Sequence, residues 1–397
     1  TNIQDSNLKP KDFNNLNSEI KIVLDHENFT FDSGIQSYEN LQKKSSDRYE
    51  YVFPYYNFNT FLNDNFLNGS IILSSSGNNV LNNTNQLKSN ITNDIVYYGS
   101  DFISKNGFKN NITVDVKNLN SLGKNTSEYK SSPQIELMSL IDLSTSLPLV
   151  KEDEFYKNYL TPKMSLKINP SDMKNYTDTD RKINTNNIFS NNRLGLVDSL
   201  ESGRSLTIGL DYRKEKKVNI GDINRFFEAR LATVIRDKEE KFIPKKSTLN
   251  KKSSNLFGSI KNNFSNVLEL EYNFAIDNDY KTFEYNDFSA QFDLDDFTTK
   301  FSFIEENGEM GDSNFLENST SFNFEENNYL TFKTRRNRKL NLTEYYDLVY
   351  EYKNDCLTAG IKYKKTYYED RDLKPSENLF FTVTLIPLTT YEQKVDR

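Results

Sequence analysis

Residues 267–276 read VLELEYNFAI, and their order decides the fold. Leu268, Leu270, Tyr272, Phe274 and Ile276 fall on one side; Glu269, Glu271 and Asn273 fall on the other. Side chains alternate across a strand, so a period of two held over this length describes a strand with one apolar and one polar face. Asn278-Asp279 supplies a turn pair, and a second strand-like run continues to Asp293. The same grammar extends in both directions. Phe297, Phe301 and Phe303 oppose Thr298, Lys300 and Ser302, and Tyr346, Leu348, Tyr350 and Tyr352 oppose Asp347, Glu351 and Lys353. Upstream, Leu206, Ile208, Leu210 and Tyr212 oppose Thr207, Gly209, Asp211 and Arg213, and Ile112, Val114 and Val116 oppose Thr113, Asp115 and Lys117. Roughly nineteen such segments follow one another, punctuated by Asn, Asp, Gly and Ser.

Composition narrows the function classes. The 397 residues carry a net charge of −7 and only 36% hydrophobic residues, yet 24 Tyr and 29 Phe. The chain is therefore polar but rich in residues that strands favour. No run approaches the ~18 consecutive apolar residues of a helical membrane span. One Cys (Cys356) and one His (His26) exclude an internal disulfide and a Cys/His zinc site. His26 has no nucleophile motif beside it, so no catalytic residues, metal ligands or cofactor site are expected. A pI of about 5.2 argues against nucleic acid as a partner. Thr1–Pro10 is polar, with no signal-peptide pattern.

Two architectures alternate in this way. A soluble sandwich of so many strands needs several domains and linkers, and no Pro- or Ser-rich linker is visible. In a membrane barrel the charged face lines a wet lumen and the aromatic face meets lipid. The connections favour the barrel. Lys353-Asn354-Asp355 and Glu326-Asn327 are tight, Asn337–Thr343 and Glu305–Leu316 are longer, and Pro170–Ser202 and Asp237–Ser254 are longest. Short turns at one rim and long loops at the other are the mark of outer-membrane barrels; Asn278-Asp279 is the exception. The expected fold is all-β, an antiparallel transmembrane β-barrel of outer-membrane type in the bacterial outer membrane.

Three stretches carry a family resemblance. NIFSNNRLGLVDSLESGRSLTIGLDY (Asn187–Tyr212) joins an Asn-Arg…Gly…Asp loop segment to a Glu-x-Gly approach to a strand. LTEYYDLVYEYKNDCLTAGIKYKKTYYEDRDLKPSENLFFTVTLIPL covers Leu342–Leu388, and SYENLQKKSSDRYEYVFPYYNF covers Ser37–Phe58. Together they resemble the outer-membrane lipopolysaccharide (LPS)-assembly protein family (LptD, the organic solvent tolerance proteins). The resemblance implies a C-terminal barrel portion, behind a periplasmic jellyroll and first strands that lie outside residues 1–397. It also implies insertion of LPS into the outer leaflet through the lumen and a lateral gate. The implied partners are LPS, a lipoprotein plug, a periplasmic LPS bridge protein and outer-membrane lipid.

Specific residues follow from that resemblance, each beside a plainer reading. Cys356, after the tight Asn354-Asp355 turn, is either a small buried hydrophobe or, by resemblance, half of a disulfide with a cysteine outside this chain. Leu379–Leu388 reads as the last strand, with Phe380, Thr382, Thr384 and Ile386 toward the lumen. It is an ordinary closing strand or, by resemblance, the gate, with Pro387 removing a ladder donor. Arg335, Arg336, Arg338 and Lys339 form a basic run in an expected outer loop, either solvated or holding LPS phosphates. The rival functions are a passive porin or ligand-gated receptor barrel, and a soluble adhesive β protein. An enzyme fits least.

Overall fold

The structure, a computed structural model, describes residues 15–40, 48–82, 85–217, 225–265, 267–325, 327–367, 376–385 and 389–395. These contain twenty-two strands. The first seven are β1 (Asn15–His26), β2 (Phe29–Asn40), β3 (Tyr49–Phe66), β4 (Gly69–Asn82), β5 (Gln86–Gly99), β6 (Phe102–Ile103) and β7 (Lys109–Lys124). Next come β8 (Gln134–Ser146), β9 (Leu149–Glu152), β10 (Tyr156–Asn169), β11 (Gly203–Lys216), β12 (Phe226–Arg236), β13 (Leu256–Asn263) and β14 (Leu268–Ile276). The series ends with β15 (Phe283–Leu294), β16 (Phe297–Glu306), β17 (Asn314–Phe324), β18 (Asn328–Asn337), β19 (Leu342–Lys353), β20 (Leu357–Thr366), β21 (Ser376–Leu385) and β22 (Thr389–Val395).

Every ladder is antiparallel, and the strands run as one meander. The short β6 continues β5 along β7, and the short β9 continues β8 along β10. Each pair is one span with a break, so the wall has slightly more strands than the sequence reading counted. Among the described residues no ladder joins β1 to β22. The C-terminal spans β15–β21 are 10 to 12 residues long, the length that crosses a bilayer when tilted.

The two faces of the wall differ as lipid and lumen differ. On β20 Ile361 is 40% exposed, whereas its neighbour Lys362 is 2% exposed. On β19 Leu348 is exposed while Asp347 and Glu351 are buried, and Lys362 meets Asp347 at 3.3 Å. A charged face more crowded than the apolar one is the concave side of a curved sheet. The apolar convex side carries Ile112, Ile141, Met164, Ile208, Leu231 and Phe301, all well exposed, a surface stable only against lipid. No helix is long and apolar enough to cross a membrane; the crossing is made by strands, as in the barrels of the bacterial outer membrane.

The rims are asymmetric. Turns at 27–28, 67–68, 295–296 and 354–356 stand at one rim, and the connections 170–202, 237–255 and 307–313 at the other. The Asn278-Asp279 turn is part of a six-residue connection, Asp277–Thr282, so it is not the tight exception the sequence suggested.

Two sequence expectations are corrected here. Leu379–Leu388 is not the last strand: β22 pairs with β21 from Leu379↔Val395 to Leu385↔Thr389. Ile386 and Pro387 lie outside the described residues. Arg335 and Arg336 are not in a loop, because β18 runs on to Asn337 with a bulge at Arg335/Arg336 against β19.

Candidate functional site: a long loop folded against the lumen wall

The molecule's main apolar core lies on the inside of the wall, at the long-loop rim. Met173, Ile183, Ile188, Leu194 and Leu196 come from the connection 170–202, Ile243 and Leu249 from 237–255, and Met310 from a 3₁₀ turn. They pack on Ala232, Val234, Phe257 and Ala275 of β12–β14. Leu200 joins Leu119, Met138 and Leu140 on β7 and β8. Each aliphatic side chain buried in this way contributes about 1.5–3 kcal/mol. The loop thus lies across the inner face from β7 to β14.

Local sequence explains how the loop turns back. The Asn192 amide accepts from the Leu196 N–H at 2.9 Å and donates to the Leu196 carbonyl at 2.7 Å. Gly195 sits at φ +60° and donates its N–H to the Asn192 carbonyl, a backbone conformation that glycine adopts without strain. Glycine also matters on the wall. A Cβ at Gly209 would stand 2.7 Å from the Phe189 ring, so its absence lets the loop's aromatic lie on β11.

Charges fasten the turn. The buried Arg193 guanidinium grips Glu201 through Nε (2.7 Å) and Nη2 (2.5 Å), and donates to Thr207 and Ser205 at 2.8 Å each. A planar fork matched to a carboxylate is the strongest form of this contact. Glu201 also accepts from Arg236 at 2.5 Å, and Arg236 donates to the Ser202 carbonyl. Burial alone would raise the Glu201 pKa; Arg193 and then Arg236 outweigh it and hold the carboxyl down at about 2. Nearby, Lys167 pairs with Asp142 at 2.9 Å and caps the Ser190 and Asn191 carbonyls at 2.7 and 3.0 Å. Lys117 pairs with Asp94 at 2.5 Å and donates to the Val197 carbonyl at 3.0 Å.

A second cluster ties the loop to the connection 125–133. Asp198 accepts from Lys174 at 2.7 Å, from Tyr129 at 3.1 Å and from Tyr176. Burial opposes ionisation of Asp198, but these donors, led by Lys174, keep its carboxyl below the ordinary range. Burial and then the charge of Asp198 raise the Tyr129 hydroxyl, so it stays a neutral donor. The arrangement closes part of a polar lumen with a segment held by reversible ionic contacts.

The residues singled out from sequence lie elsewhere. Cys356 is exposed at the short-turn rim, its N–H donated to the Asn354 side chain at 3.0 Å. Phe380, Thr382 and Thr384 lie on the polar face of β21, with Phe381 and Val383 outward. Two of the four basic residues are paired with carboxylates within the chain and two contact neutral groups. Arg335 meets Glu344 at 2.8 Å and covers the Phe315 ring, Lys339 pairs with Asp312, and Arg338 lies 5.2 Å from the Phe303 ring. Arg336 donates to Asn341. Among the described residues no group of three His, Cys, Asp or Glu side chains is placed to hold a metal. Sequence reading missed Arg236, Lys167 and Asp142. The available signal was a charged side chain at the inward position of a strand end beside a very long loop.

Comparisons with known proteins bear on the family. No family model matches the chain, and no curated protein matches it. Among solved structures it is similar to the ferric enterobactin receptor PfeA of Pseudomonas aeruginosa, at 8% identity and TM-score 0.46, covering 96% of this chain and 72% of that one. It is also similar to the siderophore receptor PirA of Acinetobacter baumannii (9% identity, TM-score 0.44, 94% and 71% covered). A third is the iron transporter FrpB of Neisseria meningitidis (9% identity, TM-score 0.41, 95% and 73% covered). At these identities and scores the likeness assigns no ligand to this chain.

The LPS-assembly expectation is corrected. Solved structures similar to this chain include siderophore receptors and iron and copper transporters rather than LPS-assembly proteins. LPS, a lipoprotein plug and a periplasmic LPS bridge protein are accordingly withdrawn as partners. The stretch Asn187–Tyr212, one of the three that together carried the resemblance, has a physical explanation inside this molecule. Its Asn192, Arg193, Gly195, Asp198 and Glu201 are the residues that turn the loop and fasten it to the wall.

Proposed function

We propose that this chain is a gated outer-membrane barrel for a polar solute, with the connection Pro170–Ser202 as the gate. This is the ligand-gated alternative, distinguished from a passive porin, and it involves no enzymatic step. One observation carries the reading: the loop is fastened to the lumen wall by a buried Arg193–Glu201–Arg236 cluster rather than left in solvent. The ionic contacts are replaced by water when loop and wall separate, while the apolar contacts of the loop with Ala232, Val234, Phe257 and Ala275 favour the closed position, a balance that suits a segment that moves.

A reversible tether tests it. Ser199 Oγ lies 3.8 Å from Met138 Sδ, so Ser199→Cys with Met138→Cys, in a Cys356→Ser background, places a cross-link between loop and wall. The reduced protein in planar bilayers is expected to show opening events that oxidation abolishes, and deletion of 175–198 to leave the channel open. Equal conductance in all three forms would overturn the proposal.

A further inference from the structure

Beneath the loop, one buried carboxylate, that of Asp115, forms no direct ion pair among the described residues; Lys117 and Lys167 act on it only from a distance. Asp94 on β5 and Asp115 on β7 share the lumen face. The register pairs Asp94 with Lys117 and Val96 with Asp115, making the two carboxylates diagonal neighbours. Lys117 is committed to Asp94 Oδ2 and the Val197 carbonyl. Asp115 is 6% exposed. Its Oδ2 accepts one bond of 3.4 Å from the Asn191 amide of the loop, and its Oδ1 has no hydrogen-bond partner. Asp94 Oδ1 and Asn191 Oδ1 are likewise buried without a partner.

Three such acceptor oxygens on neighbouring residues are costly. Each buried unsatisfied acceptor costs about 1–3 kcal/mol, and an uncompensated buried carboxylate costs more. With Lys117 spent on Asp94, the group keeps a formal charge of −1. A hard cation needs this donor set: carboxylate and amide oxygens, no nitrogen or sulfur, with water filling the remaining positions.

We propose that Asp94, Asp115 and Asn191 form a Ca²⁺ site joining the loop to the wall. Two ligands belong to the wall and one to the loop, so bound Ca²⁺ holds the loop closed. The site is read by binding, independently of whether the loop gates a solute.

The experiment uses the full chain in detergent micelles after EDTA treatment. Tyr98 pairs with Thr113 and is therefore a same-face diagonal neighbour of Asp115, placed to sensitise Tb³⁺ luminescence. One saturable Tb³⁺ site is expected, displaced by Ca²⁺ at the ~10⁻⁴–10⁻³ M typical of extracellular modules. Asp115→Asn, isosteric and uncharged, is expected to weaken binding at least about tenfold while leaving the strand circular dichroism intact; one 1.4 kcal/mol contact accounts for that factor. Asn191→Ala is expected to weaken it less, and Asp211→Asn, at the Lys163 pair away from the site, not at all. Equal affinity in wild type and Asp115→Asn overturns the proposal. So does thermal stabilisation by acid but not by Ca²⁺, which would assign the unpaired oxygen a proton.

Discussion

Replacing Glu201 with Gln removes the one carboxylate shared by Arg193 and Arg236 and leaves two guanidinium groups buried around a neutral amide. The magnitude can be worked from the carboxyl's proton affinity. Its pKa falls from 4.5 to about 2, Arg193 and Arg236 outweighing the opposing effect of burial. At about 1.4 kcal/mol per tenfold change, this displacement is worth about 3 kcal/mol. The folded value lies below the free one, so this contribution is complete above about pH 4.5 and is lost as the pH falls toward 2. At pH 8 the substitution is therefore expected to raise the open-loop population about two orders of magnitude. Trypsin reads this directly, because Lys174, Arg181 and Lys182 lie in the loop. When opening is fast relative to cleavage, the cleavage rate follows the open population. Glu201→Gln should be cut about a hundredfold faster at these sites, with the barrel's circular dichroism unchanged. A change below about threefold would refute the claim that this cluster holds the loop.

Further outcomes follow from the same geometry. Gly209→Ala should push Phe189 off β11 at a cost of about 1–3 kcal/mol, seen as faster loop cleavage and relieved by adding Phe189→Ala. Lys167→Met should leave Asp142 buried and unpaired, lowering stability toward urea by about 3–5 kcal/mol, with Asp142→Asn restoring much of it. Ile361→Lys on the lipid face should cost about 2–4 kcal/mol in folding into vesicles if the residue lies near the bilayer midplane. Cys356, exposed at the short-turn rim, should react with an impermeant maleimide only after the outer membrane is permeabilised; labelling of intact cells would invert the assigned orientation.

Local pattern made the wall legible. A half-exposed strand writes its two environments into adjacent residues, which is why the run ending at Ile276 could be read before its neighbours were known. The same logic failed where that contrast is weak. The stretch TTYEQKV gives little apolar alternation, yet it forms β22 by pairing with β21, so Leu379–Leu388 was misread as the last strand. Arg335 and Arg336 looked like loop because they are basic and lie beside Asn337. Cross-strand bonds to Tyr345 and Thr343 extend β18 through them. The loop's fold was not legible at all. Its anchors come from far along the chain: Asp115 and Lys117 upstream, Glu201 within it, Arg236 downstream. No short window contains such a set.

The chemistry of the loop's attachment also bears on why it is ionic. A buried ion pair is often no more stable than a well-packed apolar substitute, since desolvation cancels much of the attraction. Stability alone therefore does not account for Arg193, Glu201, Arg236, Lys167 and Asp142 gathered under one loop. The open state does. If the loop were held by leucines on β10 and β11, its departure would expose an apolar inner wall to water, and apolar solutes would adhere there. With charges at Arg236, Lys167 and Asp142, departure of the loop leaves wall groups that water resolvates, so the cost of opening falls on the apolar patch of Ala232, Val234, Phe257 and Ala275. The apolar core formed by Ile183, Ile188, Leu194 and Leu196 is then the element that biases the balance toward closure. Trimming it, for instance Leu194→Ala, should open the loop without weakening the Arg193–Glu201 contact. Pepsin, an acid protease that works where Glu201 titrates, should therefore cut the loop faster in the Leu194→Ala protein while the pH dependence of cleavage stays that of Glu201. If that pH dependence vanished as well, core and ionic cluster would be a single cooperative unit, and the division of labour argued here would be wrong.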